Sequence, residues 1–231
     1  MHSFPPNFKV LIVGASGAIG SAFVDVLRLN PQCGLVESLH RCSEPSVDFD
    51  HESSIGEAAQ KIAHKGPFHL IINAAGMLYT PRFMPEKKLT DLHYDQMIET
   101  FQTNAFGPAM IIRHFSQCLD SERSVMAILS AKVGSIEDNR LGGWYSYRAS
   151  KAALNMFIKT ASIELKRSNP AAVLIALHPG TVNSKLSEPF KGAQIGRAAE
   201  EAASDMLAVI DKLTVVDTGH FFSYTGEKLP W

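Results

Sequence analysis

The chain has 231 residues, a length that suits one α/β domain with a full hydrophobic core. Its 22 basic and 23 acidic residues give a net charge of −1, which argues against nucleic acid or an anionic membrane surface as a partner. The three cysteines lack zinc or redox spacing, the nine histidines do not group, and no apolar run could span a bilayer or form a secretory signal, so we expect no metal site and a cytoplasmic protein.

Short apolar runs alternate with amphipathic segments along the chain. Strands are predicted at 9–14, 35–41, 46–50, 68–76, 124–130 and 171–180. Helices are predicted at 18–30, 53–66, 94–119, 147–167 and 195–213, and residues 219–231 form a short closing strand or tail. This alternation predicts a single α/β domain over residues 1–231, a Rossmann-type, doubly wound parallel sheet with helices on both faces.

The stretch VGASGAIG at 13–20 ends the first predicted strand and opens the first predicted helix. Gly14, Gly17 and Gly20 allow a tight turn and the close approach of a diphosphate to the backbone, where a helix N-terminus favours negative charge. A strand–helix turn that merely needs glycine would give the same letters. Because the required strand and helix flank this turn, the sequence predicts a dinucleotide site.

The end of the second predicted strand distinguishes the two nicotinamide cofactors. An NAD site usually places Asp or Glu about 20 residues past the glycines. Here His40 and Arg41 occupy that region, and no carboxylate follows before Glu44. Since arginine offers a rigid fork for a phosphate, Arg41 favours NADP(H) over NAD(H). A solvated surface arginine is the alternative interpretation.

Tyr147 and Lys151 are one turn apart in a predicted helix and therefore share a face, whereas Tyr145 points elsewhere. A phenol titrates near pH ~10, and an ammonium one turn away is expected to lower its pKa. The pair suits a proton donor, although the spacing also arises by chance. In the preceding helix, Pro108 has no N–H for the carbonyl of Asn104, which leaves that carbonyl free to accept a water or simply bends the helix.

Four motifs occur in a fixed order along the chain: GASGAIG at 14–20, NAAG at 73–76, TNAFGP at 103–108 and YRASK at 147–151. On these motifs the chain resembles the short-chain dehydrogenase/reductase family over essentially its whole length. The segments 130–155 and 221–231 are most similar to sniffer-type carbonyl reductases and C-factor-type signalling proteins.

The resemblance implies roles for particular residues. Tyr147 is implied to give a proton to a substrate carbonyl, Lys151 to lower the pKa of Tyr147 and hold the nicotinamide ribose, and Asn104 to hold a relay water. A serine is implied to position the carbonyl oxygen; Ser130 is favoured because it directly follows a strand, and Ser135 is the alternative. Together with the glycine turn and Arg41, the expected cofactor contacts are Gly14, Ser16, Gly17, Ala18, Ile19, Gly20, Arg41, Asp48, Phe49, Asn73, Ala74, Ala75, Gly76, Tyr147, Lys151, Pro179, Gly180 and Val182.

These implications predict an oxidoreductase that transfers hydride between NADP(H) and a carbonyl or alcohol substrate. A non-catalytic NAD(P)-binding regulatory or C-factor-like signalling protein is the alternative. The Gly14–Gly17–Gly20 spacing, with Ala18 between, also resembles epimerase-type relatives, but the chain is too short for their substrate domain. A homodimer or homotetramer is expected from the resemblance alone.

The substrate is expected to meet three loops that follow the strands. These loops offer large apolar side chains, which suggest an apolar ketone or aldehyde unless they pack in the core or an interface: Met77, Leu78, Trp144, Leu186 and Phe190.

Overall fold

The structure is a computed structural model that describes residues 1–190 and 192–231. Within these residues the strands are β1 (Phe8–Val13), β2 (Cys33–Leu39), β3 (Leu70–Asn73), β4 (Ser124–Leu129), β5 (Ala172–His178), β6 (Phe221–Ser223) and β7 (Lys228–Leu229). The α-helices are α1 (Ala18–Arg28), α2 (Glu52–Ile62), α3 (Tyr94–Phe101), α4 (Gly107–Phe115), α5 (Tyr145–Ser168), α6 (Gly192–Ile195) and α7 (Ala199–Lys212). None of the described helices is both long and apolar enough to cross a membrane.

The strands form one sheet in the order β2-β1-β3-β4-β5-β6-β7. Neighbouring strands are parallel except for the β6–β7 pair at the edge, which is antiparallel. The chain leaves β1 toward β2 on one side and returns to β3 on the other. The carboxyl ends of β1 and β3 therefore flank a crevice, the position at which doubly wound sheets bind ligands. The predicted fold class is confirmed, with the β6–β7 hairpin as an addition.

Two hydrophobic cores lie on opposite faces of this sheet. One face packs against α1 and α7, through buried side chains such as Phe23, Leu27 and Met206. The other packs against α2, α4 and α5, and Phe115 and Ile158 are fully buried there. Each such side chain contributes about 1.5–3 kcal/mol on burial. The second face matters most for function, because it fixes α5 over the sheet.

The strand predicted at 46–50 is wrong, because this segment is a loop in the structure. The His40 carbonyl accepts the N–H groups of Ser43 at 3.2 Å and Val47 at 3.0 Å, so the backbone turns upon itself instead of pairing with the edge of the sheet. Val47 is only 4% exposed and Phe49 is half-buried. Both side chains pack from a loop onto the core on the same face of the sheet, so their alternation with polar residues does not come from a pleated strand.

The single helix predicted at 94–119 is also wrong, because it is interrupted between α3 and α4. Residues Gln102–Phe106 form a π-helical turn, in which the Gly107 N–H bonds to the Gln102 carbonyl five residues earlier. Pro108, which has no N–H, follows at once and favours this widening. Residue 107 must be glycine here, since a Cβ would overlap the Phe49 ring. The other predicted elements are present with ends shifted by a few residues.

Candidate active site

The three glycines of the first turn differ in what a side chain at each position would contact. Gly14 has a φ of +81°, and a Cβ on it would lie 2.6 Å from the Ala75 nitrogen. A Cβ on Gly20 would overlap the Gly14 carbonyl, so this residue lets α1 pack against the turn. The nearest atom to a Cβ on Gly17 is the Gly14 oxygen, 3.5 Å away, and the position is otherwise open. Packing therefore explains Gly14 and Gly20 but leaves Gly17 accessible to a ligand.

A cleft of about 720 Å³ lies over the carboxyl ends of β1 and β3. Gly17 is the N-cap of α1 and provides no side-chain cap, so the positive end of this helix faces the cleft. Such a cradle fits a diphosphate. The cleft brings together nine of the residues expected to contact the cofactor, namely Gly14, Ser16, Gly17, Arg41, Asp48, Phe49, Ala74, Ala75 and Gly76.

One end of the cleft lies beside the loop after β2. His40 and Arg41 line this end, and Arg41 makes no ion pair with any described residue. The Asp48 carboxylate accepts the Asp50 N–H at 3.1 Å and lies 3.4 Å from His51 Nδ1. Arg41 therefore has no carboxylate partner among the described residues at this end of the cleft, while the Asp48 carboxylate is held by hydrogen bonds within its own loop.

The remaining expected cofactor contacts do not line this cleft. Ala18, Ile19 and Gly20 continue into α1. Asn73 is fully buried below the cleft floor, and its Oδ1 accepts the Ala75 N–H at 3.3 Å. The segment Pro179, Gly180 and Val182 follows β5, and Val182 is buried in the core near α7.

Tyr147 and Lys151 share one face of α5, as the sequence predicts. The Lys151 side chain is 3% exposed, and its Nζ donates to the Leu129 carbonyl at 3.0 Å. A Cβ placed on Gly76 would lie 3.6 Å from this Nζ, so the ammonium lies beside the wall of the cleft. Tyr145, at 37% exposed, points away from this face. Lys151 thus joins the helix with the tyrosine to the cleft that suits a dinucleotide.

Asn104 is fully buried in the π-helical turn and holds the loop after β3. Its Oδ1 accepts the Met77 N–H at 2.8 Å, and its Nδ2 donates to the Met77 carbonyl at 2.7 Å. Nδ2 also lies 3.2 Å from the Ser150 hydroxyl, which in turn donates to the Tyr147 carbonyl at 2.8 Å. The side chain of Asn104 therefore connects the cleft wall to α5. That the backbone carbonyl of Asn104 is free to accept a water stays a prediction.

The two candidate serines occupy different surroundings. Ser130 lies at the carboxyl end of β4, is 4% exposed, and donates to Asn155 Oδ1 at 2.7 Å. Ser135 lies outside this region, where its hydroxyl donates to the Trp231 carbonyl at 3.1 Å and accepts the Asp138 N–H. The geometry favours Ser130, because Asn155 follows Tyr147 and Lys151 on the same face of α5 at a spacing of four residues.

The model of a family described as short chain dehydrogenase matches residues 35–194. The chain belongs to the short chain dehydrogenase family. It is 31% identical over 189 residues to the 1-hydroxy-2-glutathionyl-2-methyl-3-butene dehydrogenase of Rhodococcus sp. (strain AD45), with 81% of this chain and 80% of that protein covered. It is 36% identical over 172 residues to the C-signal of Myxococcus xanthus, with 72% and 94% covered.

Among solved structures, the carbonyl reductase Sniffer of D. melanogaster matches this short chain dehydrogenase with a TM-score of 0.84. The match covers 98% of this chain and 100% of that one at 22% identity, which establishes a common fold. Structures with bound NADPH or NADP occur among the other neighbours. The predicted family and its likeness to sniffer-type and C-factor-type members are confirmed.

Burial shifts the pKa values of Tyr147 and Lys151, which lie on α5 of this dehydrogenase. It raises the pKa of Tyr147 to about 12 and lowers the pKa of Lys151 to about 8. The net shift of the Tyr147 pKa is upward and burial is its cause, so the expected lowering by Lys151 stays a prediction. Tyr147 stays fully protonated at neutral pH, which is the form that an acid needs. Lys151 is mostly charged at neutral pH and loses its proton in mild alkali.

A series of aromatic contacts connects Tyr147 to the loops that follow β3 and β5. Trp144 meets Tyr147 edge to face at 6.1 Å between ring centroids and meets Phe190 at 5.1 Å. Phe190 also meets Tyr79 at 6.2 Å, and the Tyr79 hydroxyl donates to the Lys185 carbonyl at 2.7 Å. This aromatic arc, defined as Tyr79, Trp144, Tyr147 and Phe190, contains two of the apolar residues expected near the substrate and adds Tyr79, which the sequence did not single out. Leu78, by contrast, is 7% exposed and belongs to the core.

No group of three or more His, Cys, Asp or Glu side chains in the described part of the chain could hold a metal ion.

Proposed function

We propose that this short chain dehydrogenase reduces a carbonyl substrate to an alcohol with NADPH, and runs the reverse reaction with NADP. The observation that carries this proposal is the position of Lys151 Nζ between the Gly76 wall of the cleft and the face of α5 that bears Tyr147. A cofactor in the cleft and a substrate under the aromatic arc meet at this point.

When bound, NADPH supplies the hydride. The Tyr147 phenol gives its proton to the carbonyl oxygen as charge develops there. An alcohol is a much weaker acid than a phenol with a pKa of about 12, so this transfer is favourable. The Lys151 ammonium stabilises the resulting phenolate. Ser130 orients the carbonyl oxygen, for which its hydroxyl must turn away from Asn155 Oδ1.

The substrate that we propose is an apolar ketone or aldehyde with a flat group. Trp144 contacts Tyr147 directly, and Phe190 and Tyr79 extend this aromatic surface. Aromatic pairs contribute about 0.5–1.5 kcal/mol beyond the burial of area, so such rings favour a planar, apolar partner. The carbonyl reductase Sniffer has the same fold and supports this class of substrate.

The preference for NADP(H) rests on Arg41 at the end of the cleft. Neighbouring structures with bound NADPH or NADP agree with this preference.

The deciding experiment measures the oxidation of NADPH and NADH in parallel by the purified protein with a panel of aromatic and aliphatic ketones, aldehydes and diones. We expect turnover that prefers NADPH and flat apolar substrates. Tyr147→Phe should lower kcat by about 10²–10⁴-fold and leave NADPH affinity within about twofold. Tyr145→Phe is the matched control and should retain full activity. A Tyr147→Phe variant with unchanged kcat would exclude the assigned proton donor.

The C-signal of Myxococcus xanthus, at 36% identity, supports a second candidate, a dinucleotide-binding signalling protein. This function predicts NADPH binding without turnover of any substrate in the panel. It also predicts that Tyr147→Phe leaves every measurable property intact.

We also propose that the protein forms a homodimer or homotetramer through α3 and α5. These packed elements carry exposed apolar side chains, among them Tyr94, Ile98, Met156 and Ile163.

A further inference from the structure

The first turn of α5 has no cap of its own. Its N-cap residue is Trp144, in a left-handed conformation with φ of 52°, and this side chain makes no capping hydrogen bond. The first turn also contains no acidic side chain. The N–H groups at the start of a helix need partners, and the first turns of this helix hold Tyr147 and Lys151.

The missing cap comes from a distant residue, Glu86, in the loop between β3 and α3. Its carboxylate oxygens accept the Ser146 N–H at 3.3 and 3.2 Å, and the Ser146 hydroxyl donates to the same carboxylate. The Glu86 backbone carbonyl accepts the Trp144 N–H at 2.5 Å. Glu86 therefore contacts the two residues that flank Tyr145, and Ser146 directly precedes Tyr147.

The electrostatics explain why a carboxylate is tolerated there. Glu86 is only 2% exposed, and burying a charge is unfavourable unless hydrogen bonds and opposite charge compensate it. The N-terminus of the 24-residue α5 supplies both, through the Ser146 donors and the positive end of the helix dipole. No local sequence pattern reveals this contact, since the two partners lie 60 residues apart.

We propose that Glu86 is a positioning residue for Tyr147 and for the aromatic arc. By fixing Ser146 and Trp144, it sets the start of α5 and with it the placement of the phenol against the substrate. Trp144 contacts both Tyr147 and Phe190, and its N–H bonds to the Glu86 backbone carbonyl, so the loop at Glu86 also seats the ring that covers the substrate. This inference rests on the proposed function, in which Tyr147 is the proton donor.

The loop that holds Glu86 has anchors that do not involve α5. Gln96 Nε2 donates to the Met84 carbonyl at 2.9 Å. Asp91 Oδ2 accepts the N–H groups of Lys87 at 3.1 Å and Lys88 at 3.2 Å. Asp91→Asn therefore provides a matched control, because it perturbs an acidic side chain of the same loop without touching the catalytic helix.

The experiment compares Glu86→Ala, Glu86→Gln, Ser146→Ala, the double variant Glu86→Gln/Ser146→Ala and Asp91→Asn in the full chain. With saturating NADPH and a substrate from the panel, Glu86→Ala should lower kcat by about tenfold to hundredfold, with KM and NADPH affinity within about twofold. Glu86→Gln should restore part of the loss, because it keeps the shape and one acceptor. The double variant should lose no more than Glu86→Gln alone, and Asp91→Asn should match the parent.

A Glu86→Ala variant with normal kcat and only a lower thermal midpoint would overturn the proposal, as would an equal kcat loss in Asp91→Asn. Failure of the proposed function is recognised separately, by a parent protein that binds NADPH without turnover. In that case Trp144 fluorescence, recorded in a Trp231→Phe background, replaces kcat as the readout. A changed emission in Glu86→Gln but not in Asp91→Asn supports the positioning contact, and an unchanged emission in both overturns it.

Discussion

Lys151 is the residue at which the cofactor cleft and the tyrosine helix meet. The Lys151 ammonium is buried, bonds to the Leu129 carbonyl and lies next to the Gly76 wall of the cleft. Burial disfavours its charged form. Burial places its pKa at about 8, well below the usual value of a lysine. The charge that we propose to stabilise the Tyr147 phenolate is therefore present at neutral pH and lost above about pH 8.

This shift predicts how carbonyl reduction depends on pH. Below pH 8 Lys151 is protonated, and Tyr147 stays protonated to about pH 12, so kcat/KM should be level on the neutral side. As pH rises through 8 the ammonium is lost and kcat/KM should fall with the slope of one proton. Lys151→Arg, which keeps its charge in alkali, should remove this fall. A parent profile that stays level well above pH 8 would contradict the assignment of Lys151.

A second prediction for a single residue concerns Arg41 and the choice between NADPH and NADH. Arg41→Ala should weaken NADPH binding by about tenfold to hundredfold, because a charge-assisted contact to the 2′-phosphate is lost. NADH binding should change by less than about twofold, since that cofactor lacks this phosphate. Titration of both cofactors against the variant tests this. Arg28→Ala, an exposed arginine at the end of α1, is the control and should affect neither cofactor. Equal loss for both cofactors would show that Arg41 is not selective.

At the scale of elements, two glycines in the turn between β1 and α1 have different roles: one is needed for binding and the other for packing. Gly17→Ala should fold with a thermal midpoint near that of the parent, since a Cβ there meets nothing closer than 3.5 Å. NADPH affinity should nevertheless fall about tenfold or more, because the methyl group lies where the diphosphate must approach. Gly20→Ala should instead lose about 1–3 kcal/mol of stability through overlap with the Gly14 carbonyl.

Thermal unfolding and NADPH titration of these two variants distinguish the roles. If Gly17→Ala bound NADPH like the parent, the cleft would not hold a diphosphate at this turn.

Local periodicity was enough to predict most elements and the face shared by Tyr147 and Lys151. The same period extends to Asn155, so the partner of Ser130 could also have been found from the sequence. The loop at 46–50 imitates a strand because Val47 and Phe49 alternate with polar residues, although both pack from a loop onto the same core. The π-helical turn and the Glu86–Ser146 contact depend on residues distant in sequence, such as Phe49 against Gly107, and periodicity contains no information about them.

At the scale of the whole molecule, the exposed apolar side chains of α3 and α5 suggest a subunit interface. Met156 is 66% exposed and Ile163 is 54% exposed, about two turns apart on one face of α5. A double variant, Met156→Glu/Ile163→Glu, should shift the protein from dimer or tetramer to monomer in analytical ultracentrifugation. Leu29→Glu, which alters an 85% exposed side chain next to α1, is the control and should leave the assembly unchanged. A parent protein that sediments as a monomer would contradict the proposed interface.

The hydrogen bond from Tyr79 to the Lys185 carbonyl joins the loops that follow β3 and β5 across the aromatic arc. A partly exposed, neutral hydrogen bond of this kind contributes about 1 kcal/mol, so breaking it changes the population of an open form only about fivefold. A loop held by one such bond moves on a nanosecond to microsecond timescale, which is far shorter than a typical catalytic cycle. Loop opening should therefore not limit substrate entry, and a solvent of higher viscosity should leave kcat/KM unchanged.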